Sequence, residues 1–563
     1  MLCRSNRLED VRIGVFVCDC GSNIAGFLDV PKVVEYAKTL PHVVFAKENL
    51  YSCSETGITE IKDSIKEHTL TRVVVASCTP RTHEPTFRLA CEEAGVNPFY
   101  FEMVNIREQC SWVHMQSRED ATNKAKDLVR IGVAKAALLD AQEFIIADVN
   151  RKALVIGGGI AGLTAAIALS RRGFEVVLVE KEKELGGRLN DLNRLYPYGV
   201  KASELIGGKI KEATSSSLIE IHTSSIIKNV RGYVGNYEVD IETGGQGVHV
   251  SCGIIIVATG ASVLEPKALY NYNGRNIITQ VELERRLQKG KIKADGIVMI
   301  QCVGARTEER NYCSRTCCMT AVKNASLLKE KMPDTRVFVL YQDMQCYGVE
   351  GEALFRKAKE MGVIFINYDP DNPPVVEEKS VKVYHQLMGR EMEIEYDLVV
   401  LSTPMIPGED TDALSKLLRV PRDENGFFLE AHVKLRPLDF ATDGIYLCGS
   451  AHWPADTRES ISQALGAVSR ASIHLARGSV KVDPIVSTLE DEDLCKGCGL
   501  CAALCPYGAI EIIDTPKGKK AGMISVACKG CGVCGATCYH RAIKMNHFTN
   551  EQVSAQMAAV VGK

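Results

Sequence analysis

The sequence predicts an α/β protein of several domains, closed by a small cysteine-rich α+β domain. Three observations predict it. Short apolar runs at 12–18, 71–78, 153–156 and 296–300 read as buried parallel strands. A glycine fingerprint at 157–162 follows one of them and opens a helix rich in alanine and leucine. The spacing C-x2-C-x2-C-x3-C occurs twice between 495 and 538. A chain of 563 residues is too long for one core, so about three or four domains are expected.

Composition narrows the class. Apolar content of 46% and charged content of 24% are those of an ordinary globular protein. A net charge of −3, with no basic stripe and no acidic tail, argues against nucleic acid as a partner. Runs such as Ile254–Ala258 are far below membrane-spanning length. The first residues, MLCRSNRLED, lack the apolar core of a signal peptide, so a cytoplasmic protein is expected. Cysteine is the anomaly: there are 22. Cytosolic thiols stay reduced, so metal binding is preferred over disulfides, and spacing must identify the ligands.

Residues 1–148 read as an N-terminal α/β domain. RIGVFVC (12–18) and TRVVVASC (71–78) are strands that each end in cysteine, and VVFAKENLYSC brings Cys53 to the end of a third. Sites in α/β folds lie at the C-terminal ends of parallel strands. Cys18, Cys20, Cys53 and Cys78 therefore form a candidate cluster-binding quartet.

Residues 149–485 read as a dinucleotide-binding domain. The strand 153–156 runs into Gly157-x-Gly159-x-x-Gly162, a helix to Arg171, a stop at Gly173, and the strand Glu175–Val179 ending at Glu180. The glycines make the turn, let backbone approach a pyrophosphate and allow close helix packing, and the acid suits a ribose hydroxyl. LGGRL (185–189), CGIIIVATGA (252–261) and DGIYLCGSAHWPADTRESISQALGAVSRA (443–471) resemble segments of the two-dinucleotide-binding, thioredoxin-reductase-like flavoproteins. That resemblance implies FAD. It places against the cofactor Gly157, Gly159, Ile160, Ala161, Gly162, Glu180, Lys181, Gly187, Arg188, Leu189, Ala258, Thr259, Gly260, Gly449, Ser450, Ser460, Ile461 and Gln463. Ser450 departs from the family, which usually has Asp there. No catalytic side chain beyond FAD is assigned.

Such flavoproteins insert a second dinucleotide unit for NAD(P)H, and residues 266–405 have its length, ending in YDLVVLSTPM. Its first strand, Gly296–Ile300, leads into QCVGARTEERNYCSRTCC with a single glycine, Gly304. A pyrophosphate turn cannot be built without the missing glycines, and no arginine pair follows RVFVLYQD. Cys302, Cys313, Cys317 and Cys318 instead put four thiols on one loop and helix start, with 313 and 317 expected on one helical face. An unusual [4Fe–4S] site is the preferred reading, helped by the helix N-terminus, with buried free cysteines as the alternative.

Residues 486–548 carry Cys495, Cys498, Cys501 and Cys505, then Cys528, Cys531, Cys534 and Cys538, with CKGCGLC and CKGCGVC as near-copies. This is the two-cluster ferredoxin pattern, in which the fourth cysteine of each run serves the other cluster. One [4Fe–4S] cluster is assigned to Cys495, Cys498, Cys501 and Cys538, the other to Cys528, Cys531, Cys534 and Cys505. A zinc site would leave the doubled spacing unexplained. AIEII and MISVA are expected as strands about a turn at Thr515–Lys520, and 549–563 as a tail.

CDCGSNIAG, YSCSETG, ASCTPRTHEPTFR, GGGIAG, QCVGAR with YCSRTCC, and the tandem motif resemble, in this order, the A-subunit family of heterodisulfide reductases and related electron-bifurcating proteins. The resemblance spans the chain. It implies that both irregular quartets hold clusters, making four [4Fe–4S] clusters with one FAD in a flavin hub that bifurcates electrons. It implies as partners heterodisulfide reductase B- and C-like subunits, ferredoxin, and a hydrogenase or formate dehydrogenase module, with a homodimer inside the complex. Many members carry a further inserted ferredoxin domain, and this sequence has none. Rival readings are an electron-relay adapter and an NAD(P)H:ferredoxin-type oxidoreductase. Cys3, Cys91, Cys110 and Cys346 stay unassigned, Cys252 and Cys448 read as packing, His83 reads as structural, and His452 lies in the turn expected over the flavin.

Overall fold

The computed structural model describes residues 11–561 apart from Lys291. Cys3 lies outside the described residues. The chain divides into two compact units, residues 146–480 and the remainder on either side of them.

The first unit opens with a parallel sheet in the order Val43–Leu50, Ile13–Asp19, Arg72–Ser77, Phe101–Asn105. The two inner strands, IGVFVCD and RVVVAS, are buried nearly throughout, as a sheet covered on both faces requires. Helices Val30–Ala37 and Arg118–Ala136 close one face, and Glu55–Glu67 with Pro80–Glu93 the other, each over its own apolar cluster.

The same unit contains the cysteine-rich C-terminal part. Its hairpin pairs Ile510–Thr515 with Gly518–Met523, and Ser487–Leu489 pairs with Ile543–Met545. The turn is tighter than the sequence suggested, and most of MISVA falls beyond the strand. Pro516 has no N–H to give the ladder, and Thr515 Oγ1 accepts the Lys517 N–H at 3.2 Å, so the chain reverses at once. Ile510, Ala521 and Cys534 form a small buried cluster, with Cys495, Cys501 and Cys505 packed against it. Domains with cores this small are commonly supported by disulfides, metal or partner contacts.

Residues expected as a tail form the helix Asn550–Val560, started by a reciprocal cap between Thr549 and Gln552. It lies on Arg118–Ala136, where Arg130 Nε donates to the Ala559 carbonyl at 2.8 Å and Gln552 Nε2 to that of Leu138 at 2.9 Å.

The second unit contains one architecture twice. Its first parallel sheet runs Ile219–His222, Glu175–Val179, Lys152–Ile156, Ile254–Val257, Ile445–Leu447. Its second runs Ile364–Asn367, Arg336–Tyr341, Gly296–Ile300, Leu398–Leu401, Ile277–Thr279. In each, a three-stranded antiparallel sheet is inserted before the fourth strand: residues 225–252 in one, 375–395 in the other. Ala261–Val263 pairs antiparallel with Met405–Pro407 where the chain leaves the first sheet and returns. This is the two-dinucleotide-binding, thioredoxin-reductase-like arrangement. Both sheets have a topological switch point beside their central strand, Lys152–Ile156 in one and Gly296–Ile300 in the other, where α/β ligands bind.

Candidate functional site

At the first switch point, the turn after Lys152–Ile156 is built by close backbone contact. A Cβ on Gly157 would lie 2.4 Å from the Ala258 carbonyl oxygen, and one on Gly162 would lie 1.8 Å from that of Gly157. Gly159 differs, since a Cβ there would meet nothing within 4 Å. It caps the helix Ile160–Ser170, buried along most of its length, whose free N–H groups face the opening. Glu180 is buried and accepts from Gly158 N at 2.6 Å and Glu182 N at 2.8 Å, which holds its carboxylate at the rim.

The opening leads into a cavity of about 800 Å³, the size range of a cofactor site. Gly157, Gly159, Ile160, Ala161, Glu180, Lys181, Gly187, Arg188, Leu189, Ala258, Thr259, Gly260, Ser450 and Ser460 line it. Gly162, Gly449, Ile461 and Gln463 do not. Gly162 is spent on helix packing, and Gln463 Oε1 accepts the Gly449 N–H at 3.0 Å, behind the wall. His452 is also off the cavity: its Nε2 pairs with Glu430 at 2.9 Å, and burial holds its pKa below the ordinary value. An open glycine at a helix N-terminus, a rim carboxylate and a long cavity fit a dinucleotide such as FAD.

The far wall of this cavity includes Cys317. Cys302 follows the strand Gly296–Ile300 with a left-handed backbone (φ 61°), and Cys317 and Cys318 open the helix Cys317–Lys331. Cys313 is not on that helix, contrary to the helical spacing of the sequence. Arg315, at φ 59°, turns the chain between them, so the helix begins only at Cys317. Cys302 feels the charge of Cys313, and Cys317 and Cys318 each feel Cys302 and Cys313, so the four lie within electrostatic reach. Where a nicotinamide site would keep an acid free at the end of the second strand, Asp343 instead pairs with Arg306 of the cysteine loop at 2.7 Å.

Burial pushes the Cys317 thiol up to about 12 and Cys318 up to about 11. Burial does the same to Cys91, Cys110, Cys252 and Cys448, so a raised pKa does not separate ligands from packing residues. Company does. No other thiol contributes to the shifts of those four, whereas each quartet member has thiol neighbours. Cys346, unassigned in the sequence, stands beside Cys318 as a fifth thiol.

The same test gathers the N-terminal four. Cys18 feels Cys20 and Cys53, Cys78 feels Cys53 and Cys18, and Ser52 N donates to Cys18 Sγ at 3.4 Å. Three strand ends of one sheet deliver them. His83 is half-buried nearby, its pKa lowered by burial and by Arg107.

In the C-terminal part, Cys505, Cys528, Cys531 and Cys534 line one small pocket, joining the fourth cysteine of the first run to the first three of the second. Cys501 feels Cys498 and Cys495, and the two short helices that carry the runs, Leu500–Leu504 and Val533–Thr537, pack together. Among the described residues no group of three His, Cys, Asp or Glu side chains is set to hold a single metal ion. An iron–sulfur cage spreads its thiolates wider than one ion does, and all-thiol sets of four are its donor chemistry.

Sequence reasoning missed a buried pair on the cavity wall. Lys323 Nζ pairs with Glu284 and donates to the Arg194 carbonyl at 2.9 Å. Glu284 is fully buried and Lys323 is 5% exposed, and burial holds the lysine pKa below its ordinary value. Both face the cavity. An apolar helix interrupted by one inward lysine was the available signal.

Known proteins share these motifs and match nearly the whole chain. An NAD(P)-binding Rossmann-like domain model matches residues 155–202, and a 4Fe-4S binding domain model matches 489–511. The chain is 41% identical to the second iron-sulfur A subunit of CoB--CoM heterodisulfide reductase from Methanopyrus kandleri, over 98% of each protein. It is 39% identical to the A subunit of H(2):CoB-CoM heterodisulfide,ferredoxin reductase from Methanothermobacter marburgensis, over 100% of this chain and 99% of that protein. It is 34% identical to the A subunit of ferredoxin:CoB-CoM heterodisulfide reductase from Methanosarcina mazei, over 98% and 81%. Among solved structures, thioredoxin reductase of Lactococcus lactis aligns over 58% of this chain and 99% of its own, at TM-score 0.42 and 16% identity.

Proposed function

This chain belongs to the A-subunit family of heterodisulfide reductases, which are oxidoreductases, and we propose that it serves as the flavin-based bifurcating hub of such a complex, with one FAD and four [4Fe–4S] clusters. The observation that carries this reading is Cys317, which stands both in the cavity that fits a dinucleotide and in a loop of four thiols.

When bound, FAD supplies chemistry that takes electrons in pairs or singly, and iron–sulfur clusters pass them singly. The chain's own part is position, charge and exclusion of water. Gly159 and the N-terminus of Ile160–Ser170 would receive the pyrophosphate, and Glu180 the ribose. Arg188 on the cavity wall feels both Asp191 and Cys317, so it offers positive charge between cofactor and thiol loop. Lys323 Nζ stands beside the cavity paired with Glu284, its pKa lowered by burial. Cys302, Cys313, Cys317 and Cys318 would hold the cluster next to the flavin, and Cys18, Cys20, Cys53 and Cys78 another. Cys495, Cys498, Cys501 and Cys538, and Cys528, Cys531, Cys534 and Cys505, would hold the remaining two.

The named relatives act on a CoB-CoM heterodisulfide, with H2 or ferredoxin also in the names of two of them. We place this chain in the same kind of assembly, with B- and C-like subunits, a hydrogenase- or formate-dehydrogenase-type module, ferredoxin, and a second copy of itself. No helix of the described residues is long and apolar enough to cross a membrane.

Anaerobic mixing with NADH or NADPH tests the proposal. The flavin should stay oxidised without partner proteins, and rapid bleaching would restore the nicotinamide reading. A redox titration tests bifurcation: the flavin should reduce in a single two-electron step. Two resolved one-electron steps would make the chain a relay.

A further inference from the structure

The tandem cysteine motif is a duplication, and its halves are built alike at the backbone. In the first C-K-G-C loop, a Cβ on Gly497 would lie 2.2 Å from the Lys519 carbonyl oxygen. In the second, a Cβ on Gly530 would lie 2.5 Å from the Ile485 carbonyl oxygen. Each loop thus rests on one backbone segment, 519–520 or 485–486. The residue after the touching carbonyl is Lys520 in one half and Val486 in the other.

Both are buried, at 7% and 2% exposure. Burying valine there needs no explanation, but burying lysine does. Lys520 lies in the hairpin strand Gly518–Met523 opposite Ile513, and its neighbour Lys519 is exposed. Its Nζ donates to the carbonyl of Cys495 at 2.7 Å and to that of Glu492 at 2.8 Å. A cation is therefore fixed to the backbone of a ligand position in the first half. The second half offers neutral donors instead: Ser487 N to Cys528 Sγ at 3.4 Å, and the Ser487 hydroxyl 3.6 Å from the same sulfur.

We propose that Lys520 sets the reduction potential of the cluster held by Cys495, Cys498, Cys501 and Cys538, raising it through fixed positive charge, so that the two centres are inequivalent. This rests on the reading that the motif binds two clusters. Reduction adds one electron to a centre, and a buried cation beside it favours the more negative form. Val486 provides no such charge at the other centre.

The test is a potentiometric titration of the full chain, followed by electron paramagnetic resonance, with iron content measured on each sample. Lys520→Met should retain its iron and move one signal to lower potential, so that less than half of that centre is reduced at the native midpoint. The signal that moves should be the one altered by Cys498→Ser, and the signal altered by Cys531→Ser should stay. Lys520→Arg should restore the native midpoint. Should Lys520→Met lose iron, Lys520→Gln keeps a donor for the two carbonyls without the charge and must show the same downward shift. An unmoved midpoint in an iron-replete neutral variant, or equal shifts of both signals, overturns the proposal. If Cys498→Ser and Cys531→Ser leave iron and signals intact, the two-cluster reading itself has failed.

Discussion

Two residues concentrate the chemistry of the second unit. Cys302 occupies the position at which a dinucleotide loop would begin its glycine turn, and it does so with φ 61°, a conformation costly for a residue with a side chain. Cys302→Ala should retain FAD while losing about four iron atoms per chain, one cubane, by iron and flavin assay; full iron would remove the rebuilt-loop reading. Lys323 makes the opposite case, a cation held in the cavity wall by one carboxylate. Lys323→Met strands Glu284 without its partner and should lower stability by about 3–5 kcal/mol. Lys323→Met with Glu284→Met should regain most of that, because both desolvation costs disappear. Denaturation of the flavin-loaded proteins checks this, and a single variant as stable as the native chain contradicts it.

At the scale of elements, the strands were the most legible part. Lys152–Ile156, Glu175–Val179 and Gly296–Ile300 are short, apolar and bounded by turn residues, and they form where the pattern puts them. The helix faces were less so. Spacing alone put Cys313 and Cys317 on one face, but the left-handed turn at Arg315 is a local backbone choice that spacing does not encode. Asn550–Val560 was missed because its apolar residues are mostly alanines with little helical periodicity, although Thr549 and Gln552 do announce a helix start. Its partner lies over 400 residues away in sequence, which no local pattern reveals. Arg88 likewise pairs with Asp483, 395 residues on, at 2.5 Å. Removing residues 549–561 should speed amide exchange in Arg118–Ala136, read by hydrogen exchange, while the sheet centred on Lys152–Ile156 stays protected. Unchanged exchange in Arg118–Ala136 would mean the contact contributes nothing to its stability.

At the scale of the whole molecule, the second unit repeats one fold. Two sheets that share the order of four strands and differ in the chain position of the fifth, each with its antiparallel insert, carry a glycine turn at one switch point and a thiol loop at the other. The candidate site was legible to the degree that it is written in local motifs: the glycine fingerprint and the tandem cysteines have fixed spacings. The quartets at 18–78 and 302–318 were legible only as clusters of residue type, and it is the fold that brings their members within reach of one another. The lysine stands out in its helix, but its pairing with Glu284 cannot be read from the sequence, since the partners belong to different helices.

The central claim is that the irregular thiol quartets hold clusters alongside the tandem motif, with one of them against the flavin. Iron and flavin counts on anaerobically purified chain test it most directly. Four cubanes predict about sixteen iron atoms per FAD, whereas about eight would leave only the tandem motif filled and contradict the account.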